Sequence, residues 1–286
     1  IVHIAPGCGA EDFELGQEYD LPALAPLTEE GYFIEGFDWL TGKNVHNVAH
    51  EIFHDLEEKN RLYRVDAYTH RYPVCWRCAT PLVFRLVDEW FINMGQHYDK
   101  PREAVTEAEK ARSLRYQIMD VVDEIEWIPE FGYSREMDWL RNMQDWMISK
   151  KRYWGLALPI WVCENPDCDH FEVIGGPDEM EEKAVEGWET FEGHTPHRPY
   201  VDAIKIACSK CGGMMTRIED VGNPWLDAGS VAYSTLQYRT NRDFWETWFP
   251  ADWISESFPG QFRNWFYSLI TMSTVFENRQ IGRAHV

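Results

Sequence analysis

Between residues 100 and 127, Leu114, Ile118, Val121, Val122 and Ile125 recur at three- and four-residue intervals, with Glu, Lys and Arg between them. That spacing lays an apolar stripe along one face and predicts the clearest helix of the chain over 100–127, stopped by WIPEFG (127–132). Met137, Leu140, Met143 and Met147 predict a shorter helix over 134–147. Residues 261–276, after Pro259-Gly260, read as an amphipathic helix, and 45–60 as a polar one with an acid-rich second half. Strand patterns fall at 31–36, 63–78, 82–94, in the apolar run ending at Trp161, and at 251–257. HIAPGCGAEDFELGQEYD (3–20) reads as strand, glycine-rich turn and helix, with Glu11 and Asp12 placed to complement the helix N-terminal dipole. Residues 218–236 read as loop-rich and the acidic stretch 178–192 as a solvated loop. Strand, glycine turn and helix in succession is the unit that sets ligands at the carboxyl end of a strand, so the expected class is α/β.

The cysteines add a second layer. Cys75 and Cys78 form one close pair, Cys163 and Cys168 a second, Cys208 and Cys211 a third, while Cys8 stands alone. Two close pairs separated by a few dozen residues are what a tetrahedral zinc ion needs, because each knuckle delivers two thiolates and two knuckles close the shell. Cys163, Cys168, Cys208 and Cys211 form the best quartet, with Pro166-Asp167 and Gly212-Gly213 as turn residues. Such a site is structural. Cys75 and Cys78 are half a site, whose partners are expected upstream of residue 1 or at another pair.

Composition bounds the rest. The 286 residues carry a formal net charge of -21, which argues against indiscriminate nucleic-acid binding while leaving room for a local basic site. Fourteen tryptophans point to aromatic-walled clefts or dense packing between layers. No apolar run has membrane-spanning length and no leader pattern opens the sequence, so a soluble cytosolic protein with no membrane partner is expected. Both ends look cut: the first residues read as mid-strand, and IGRAHV (281–286) reads as the translation of a sequencing adaptor with no part in the fold. Against the acidic background, ISKKRYWG (148–155) sets Lys150, Lys151 and Arg152 beside Tyr153, Trp154 and Gly155. Cations at a glycine turn next to a strand suit an anionic ligand, and a solvated basic turn is the plain alternative.

Seven motifs then fall in one order: HIAPGCGAED (3–12), YTHRYPVCWRC (68–78), EWFI (89–92), WIPEFG (127–132), ISKKRYWG (148–155), NPWLDAGS (223–230) and PGQFRNWFYS (259–268). In this order the chain resembles the middle of the isoleucyl-tRNA synthetases over nearly all of residues 1–280, with valyl and leucyl relatives sharing the architecture. The resemblance implies an α/β chain: the second half of a class I Rossmann-like catalytic domain, the C-terminal part of a β-rich editing insertion, and a small zinc-binding module. The implied divisions are 1–70 for the editing part, 71–95 for a zinc knuckle and return strands, 96–147 for a helical connection, 148–162 and 215–280 for the catalytic domain, and 163–214 for the zinc insertion.

The resemblance also implies an isoleucine–tRNA ligase that forms an adenylate from isoleucine and ATP, transfers it to tRNA(Ile), and hydrolyses mischarged valine. Its expected cofactor is zinc, with ATP and magnesium entering as substrate; a cytoplasmic monomer is expected. His3 and Asp12 match editing-pocket positions, Asp12 receiving the α-ammonium and His3 limiting the side chain. Trp225 and Trp265 match the tryptophans that wall the isoleucine pocket, Gln261 and Glu256 the contacts to the amino acid and ribose, and Tyr153, Trp154 and Gly155 the lining of the cleft. Three departures from the family pattern stand out: Cys8 in place of a His, Gly260 in place of an Asp, and Lys150 in place of an Arg. The phosphate-handling motifs on either side are expected outside these residues, so the fragment alone is expected to be inactive. The competing readings are a valyl-type fragment, a zinc-ribbon nucleic-acid module, and a free-standing hydrolase of mischarged tRNA.

Overall fold

The protein is described here by a computed structural model covering residues 2–257 and 260–286. Pro259, the first residue of the PGQFRNWFYS motif, lies outside the described residues. The chain divides into two compact units, Ile1–Asp88 and Glu89–Val286.

The first unit holds two helices, α1 (Ala10–Glu18) and α2 (Ala49–Glu58). Among its described residues no regular strand forms. The expected strand at 31–36 is reduced to isolated bridges, Leu27 with Phe33 and Tyr32 with Asn44. The one at 63–78 is reduced to a bridge between Val74 and Pro81. Strand residues need a neighbouring backbone to complete a ladder, and the pairing of this stretch lies at its far end, where the Cys75 N–H bonds to the Thr80 carbonyl and the Leu82 N–H to that of Pro73; Tyr63 is 99% exposed.

In the second unit, β1 (Phe91–Ile92) is all that pairs of the strand expected over 82–94. The helix expected over 100–127 is broken into α3 (Glu107–Lys110) and α4 (Leu114–Asp123). The physical cause lies at two places along the interval. Thr106 and Glu109 close a capping box that starts α3. Ser113 is extended, with its Oγ donating to the carbonyls of Met94 and Gln96, which pulls it out of helical register. β2 (Trp127–Ile128) follows, then α5 (Phe131–Asn142), which begins earlier than the methionine stripe suggested. Met137, Leu140 and Met143 are buried, whereas Met147 belongs to β3 (Trp146–Met147), paired with β1.

β4 (Ser149–Lys150) leads into a small antiparallel sheet. Its members are β5 (Ile160–Cys163), β6 (Phe171–Val173), β7 (Ala184–Glu186), β8 (Lys205–Ala207) and β9 (Met214–Arg217), in the order β6-β5-β9-β8-β7. The stretch 178–192, expected as a solvated loop, instead forms α6 (Pro177–Lys183), β7 and α7 (Trp188–Phe191), because Met180 and Phe191 anchor it in this lobe's core. β10 (Val221–Gly222) pairs with β4. Residues 218–236, expected as loop, then form α8 (Pro224–Gly229) and α9 (Val231–Ser234). Asn223 caps α8 and Pro224 opens it, a start signal that the glycine and serine content masked.

After α10 (Arg242–Trp248) come β11 (Ala251–Ser255), α11 (Trp265–Glu277) and β12 (Gly282–His285). β11 and β12 are parallel neighbours and β2 is parallel to β12, giving the order β11-β12-β2 and a strand–helix–strand unit. Residues 281–286, expected to take no part in the fold, therefore supply the central strand, with Ile281 and Ala284 fully buried. α11 also differs from its amphipathic expectation, since every residue from Phe266 to Thr274 is buried. It runs through the core, between α4, α8 and the short 3-10 turn at Gly260–Arg263.

That core contains a carboxyl group. Glu136 of α5 is fully buried and neither carboxyl oxygen has a hydrogen-bond partner among the described residues. Burial alone pushes its pKa well above the usual carboxylate range, so it folds as the neutral acid. An unfolded Glu ionises near pH ~4, so this group adds no pH-dependent cost below that range, and stability falls as pH rises above it towards the folded pKa. Glu136→Met is expected to raise unfolding free energy at pH 8 by about 1–3 kcal/mol and to flatten its decline from pH 5 to 8. Urea denaturation at the two pH values measures this; a destabilised variant at pH 8 would contradict it.

Candidate functional site

The quartet is assembled by two knuckles of the small sheet. β5 delivers Cys163 at its end and β9 begins just past Cys211, with Cys163 in register with Met215. The Cys168 N–H bonds to the Asn165 carbonyl and the Gly212 N–H to that of Cys208, each folding its pair of thiols onto one side. Cys163 Sγ lies 3.5 Å from Cys211 Sγ, Cys168 Sγ 3.9 Å from Cys208 Sγ, and all four sulfurs lie within 4.8 Å of one another. A tetrahedron of thiolates around an ion at the Zn–S bond length has S···S edges of about 3.8 Å, so the spacing fits without rearrangement. Cys211 is pulled down to about 6 by the Gly213 N–H and by Cys163. The Asn165 N–H favours the Cys163 thiolate, yet burial and the neighbouring sulfurs outweigh it and push Cys163 up to about 12. One thiolate is thus favoured at neutral pH, while Cys163 and Cys168, both raised, would need a cation to ionise beside it.

Cys75 and Cys78 also meet on a tight turn, closed by the Cys75 N–H to Thr80 and the Ala79 N–H to Cys75. Cys78 lies 3.2 Å from the Thr80 hydroxyl, which with the Thr80 N–H lowers it to about 7. Among the described residues no third ligand group joins this pair.

The basic turn sits where the chain enters the small sheet. β4 pairs with β10 so that Lys150 faces Val221, while the Asn223 N–H reaches Ile148 and its Nδ2 donates to Met147. Asn223 Oδ1 accepts from the Trp225 N–H at 3.0 Å, so one side chain ties the basic turn to the helix that carries Trp225. Trp265 opens α11 and its Nε1 donates to the Ala228 carbonyl of α8 at 3.2 Å. Trp225 and Trp265 are both half-buried on this packed helix pair. Gly229 permits the pairing, since a Cβ there would lie 2.7 Å from the Ser268 carbonyl oxygen. Gln261 Oε1 accepts from the Trp265 N–H at 3.1 Å and so holds the first turn of α11. Glu256 stands just past the carboxyl end of β11, its N–H bonded to His285. Trp225, Trp265, Gln261 and Glu256 are thus carried by α8, the start of α11 and the end of β11, elements of one core. Tyr153 and Trp154 stand apart, exposed beside the small sheet: His197 stacks on Trp154 and Arg198 lies over Tyr153.

In the first unit, His3 and Cys8 line an apolar cavity of about 440 Å³ with Pro6, Leu24 and Phe37. Asp12 is not among the lining residues; its Oδ2 accepts from the Ala5 N–H at 2.9 Å and braces the loop.

Residues 19–280 match the family of class I tRNA synthetases (I, L, M and V). The chain belongs to that family. Its curated relatives include isoleucine–tRNA ligases from three methanogens. That of Methanothermobacter marburgensis is 41% identical over 93% of this chain and 24% of its own length. Those of Methanothermobacter thermautotrophicus and Methanopyrus kandleri are each 38% identical, over 93% and 96% of this chain and 24% and 25% of theirs. The synthetase chain thus spans about a quarter of the relatives it matches.

Sequence reasoning missed Asn223, His197, Arg198, Arg217 and Asp220. Asn223 was legible as a residue before Pro at a helix start; the others are joined to the basic turn by contacts made across the fold. In this synthetase chain Gln261→Ala should remove the bond that holds the start of α11 and cost about 1 kcal/mol, with Gln261→Glu retaining most of it. Chemical denaturation of both variants measures the difference; equal stability of Gln261→Ala and the parent would refute the capping role.

Proposed function

We propose that this chain is the central part of an isoleucine–tRNA ligase, contributing a wall of the amino-acid activation site and part of an editing insertion. The observation that carries the reading is the identity of 41% over 93% of the chain to a protein named for that activity. In the proposed reaction the isoleucine carboxylate attacks the α-phosphate of magnesium-bound ATP, releasing pyrophosphate and leaving an adenylate, whose acyl group then passes to the terminal ribose of tRNA(Ile). Trp225 and Trp265 offer flat indole faces to a branched aliphatic side chain, which suits them to orient it at little entropic cost. In this reading Gln261 and Glu256 contact the amino-acid end and the ribose, and Tyr153, Trp154 and Gly155 the nucleotide side, where Lys150 and Arg152 add positive charge.

Removing one methylene from a ligand is worth only about 1–3 kcal/mol in an apolar pocket, isoleucine against valine being the standard illustration. A second, hydrolytic site is the corresponding remedy, and the cavity at His3 is its proposed location; Asp12, which does not line that cavity, serves there by bracing the loop. A cytoplasmic site of action goes with this reading; among the described residues no helix is long and apolar enough to cross a membrane.

The quartet is proposed to hold zinc, which supplies a fixed cross-link between the two knuckles when bound; the closed shell of four thiolates leaves no position for substrate. Metal analysis of the purified chain should find close to one zinc per molecule, lost on Cys208→Ser and kept on Cys8→Ser. A chain with no zinc would sink the assignment.

For the amino-acid site, calorimetry with non-hydrolysable aminoacyl-adenylate analogues is the direct measurement. The isoleucyl compound should bind about 10- to 200-fold more tightly than the valyl one, and Trp225→Ala and Trp265→Ala should each weaken it at least about tenfold. ATP–pyrophosphate exchange by these residues alone should be undetectable. Equal affinity for isoleucyl, leucyl and methionyl analogues would overturn the isoleucine reading.

A further inference from the structure

Two large aromatic side chains of the basic turn are out in solvent, Tyr153 at 59% and Trp154 at 67% exposure. They precede Gly155, whose φ of +154° is a conformation that other residues rarely adopt. Exposed rings next to a permissive glycine need an external hold if they are to present one fixed surface. That hold comes from the cysteine lobe. The His197 ring stacks on Trp154 with centroids 5.0 Å apart and planes 11° from parallel. The Arg198 guanidinium lies 4.8 Å from the Tyr153 ring centre.

These two residues are themselves fixed. Arg198 Nε donates to Asp202 Oδ2 at 2.7 Å, and the buried Arg217 donates its Nε to the other oxygen of Asp202, also at 2.7 Å. Arg217 Nη1 reaches the carbonyls of Leu158 and Asp220 at 3.1 and 3.0 Å. The Asp220 carboxylate in turn pairs with Lys151 Nζ at 3.0 Å, which returns the chain of contacts to the basic turn. The buried guanidinium is thus held at Nε and Nη1, with Nη2 ion-paired to Asp202, and turning it away would leave those desolvated donors unpaired. Arg217 also lies on β9, in register with Trp161, while Met215 of the same strand is in register with Cys163. The four residues of β9, about 10 Å of extended chain, therefore lead from the knuckle of Cys208 and Cys211 to Arg217.

We propose that the cysteine lobe is a positioning clamp for the KKRYWG turn, with His197 and Arg198 as its two contact residues and the Asp202–Arg217–Asp220–Lys151 chain as its anchor. Metal held at the four cysteines fixes the knuckles from which β9 departs, and the clamp carries that rigidity to Tyr153 and Trp154. His197 and Arg198 are positioning residues: they act through the turn, and the value of the turn as a nucleotide-side wall rests on the function proposed above.

Amide hydrogen exchange on the 286-residue chain tests the clamp without relying on catalysis. Removing the metal with a chelator should accelerate exchange across 150–156 at least about tenfold, while amides in the middle of α4 and α11 stay protected. The double variant His197→Ala/Arg198→Ala should show the same acceleration with one zinc still bound. His197→Phe, which keeps a stacking ring, and Arg198→Lys, which keeps a cation over Tyr153, should restore most of the protection. Unchanged exchange at 150–156 in the zinc-bound double variant overturns the clamp, and that variant decides the matter if chelation unfolds the whole lobe. Rescue by the conservative replacements separates a stacking contact from a general loss of folding. Binding of an adenylate analogue, measured on the same double variant, is read separately. A loosened turn with unchanged analogue affinity leaves the clamp standing and removes the turn from the ligand site.

Discussion

The chain crosses between the helical core and the small antiparallel sheet twice, at 148–160 and again at 217–223, and the two crossings are bonded to each other. β4 lies on β10, the Gly222 N–H reaches the Leu156 carbonyl at 2.6 Å, and Ala157 bridges Val221. Asn223 extends the seam by two more bonds to residues 147 and 148. Everything of functional interest in the second unit hangs on this antiparallel join. On one side it orients the strands that bring the cysteines together, and on the other it starts the helix that carries Trp225. Buried backbone groups at a crossing must be paired somewhere, and pairing them with each other spares the lobe a flexible tether.

The electrostatics of the seam differ from the impression left by three adjacent cations. Lys151 is matched by the nearly buried Asp220, so the turn's positive character falls mainly to Lys150 and Arg152. With a net charge of -21 for the chain, those two cations work against a negative long-range field. An anionic ligand would gain at short range there and be repelled at long range, a pattern that favours contact recognition over steering. The four cysteines show a local contrast of the same kind: the Gly213 N–H pulls Cys211 down, while at Cys163 the Asn165 N–H is outweighed by burial and neighbouring sulfurs, which push it up.

Elements that bury one face were legible in the sequence. Met137, Leu140 and Met143 announced α5, and 251–257 announced β11, because their apolar spacing is a direct image of what they pack against. The misreadings have specific causes. The interval 100–127 has unbroken helical periodicity, but Ser113 finds carbonyls in a distant loop, information no local window contains. α11 is buried all round from Phe266 to Thr274, so its amphipathic signal reflected composition more than its surroundings. The meeting of four cysteines was readable because two close pairs on turn residues leave a mark in both residue type and spacing. His197 and Arg198 were not, since a stacking contact leaves no pattern in the intervening sequence.

The close approach at Gly229 has a consequence for the helix pair. A hydrogen there lets α8 and α11 touch backbone to backbone, and the two helices carry one tryptophan each. Their separation is then governed by a position that has no side chain of its own. A methyl group there would act as a shim, parting the helices by a fraction of an ångström and shifting both tryptophans without replacing either. In the function proposed above, the accepted side chain would thus depend on a residue that meets no ligand.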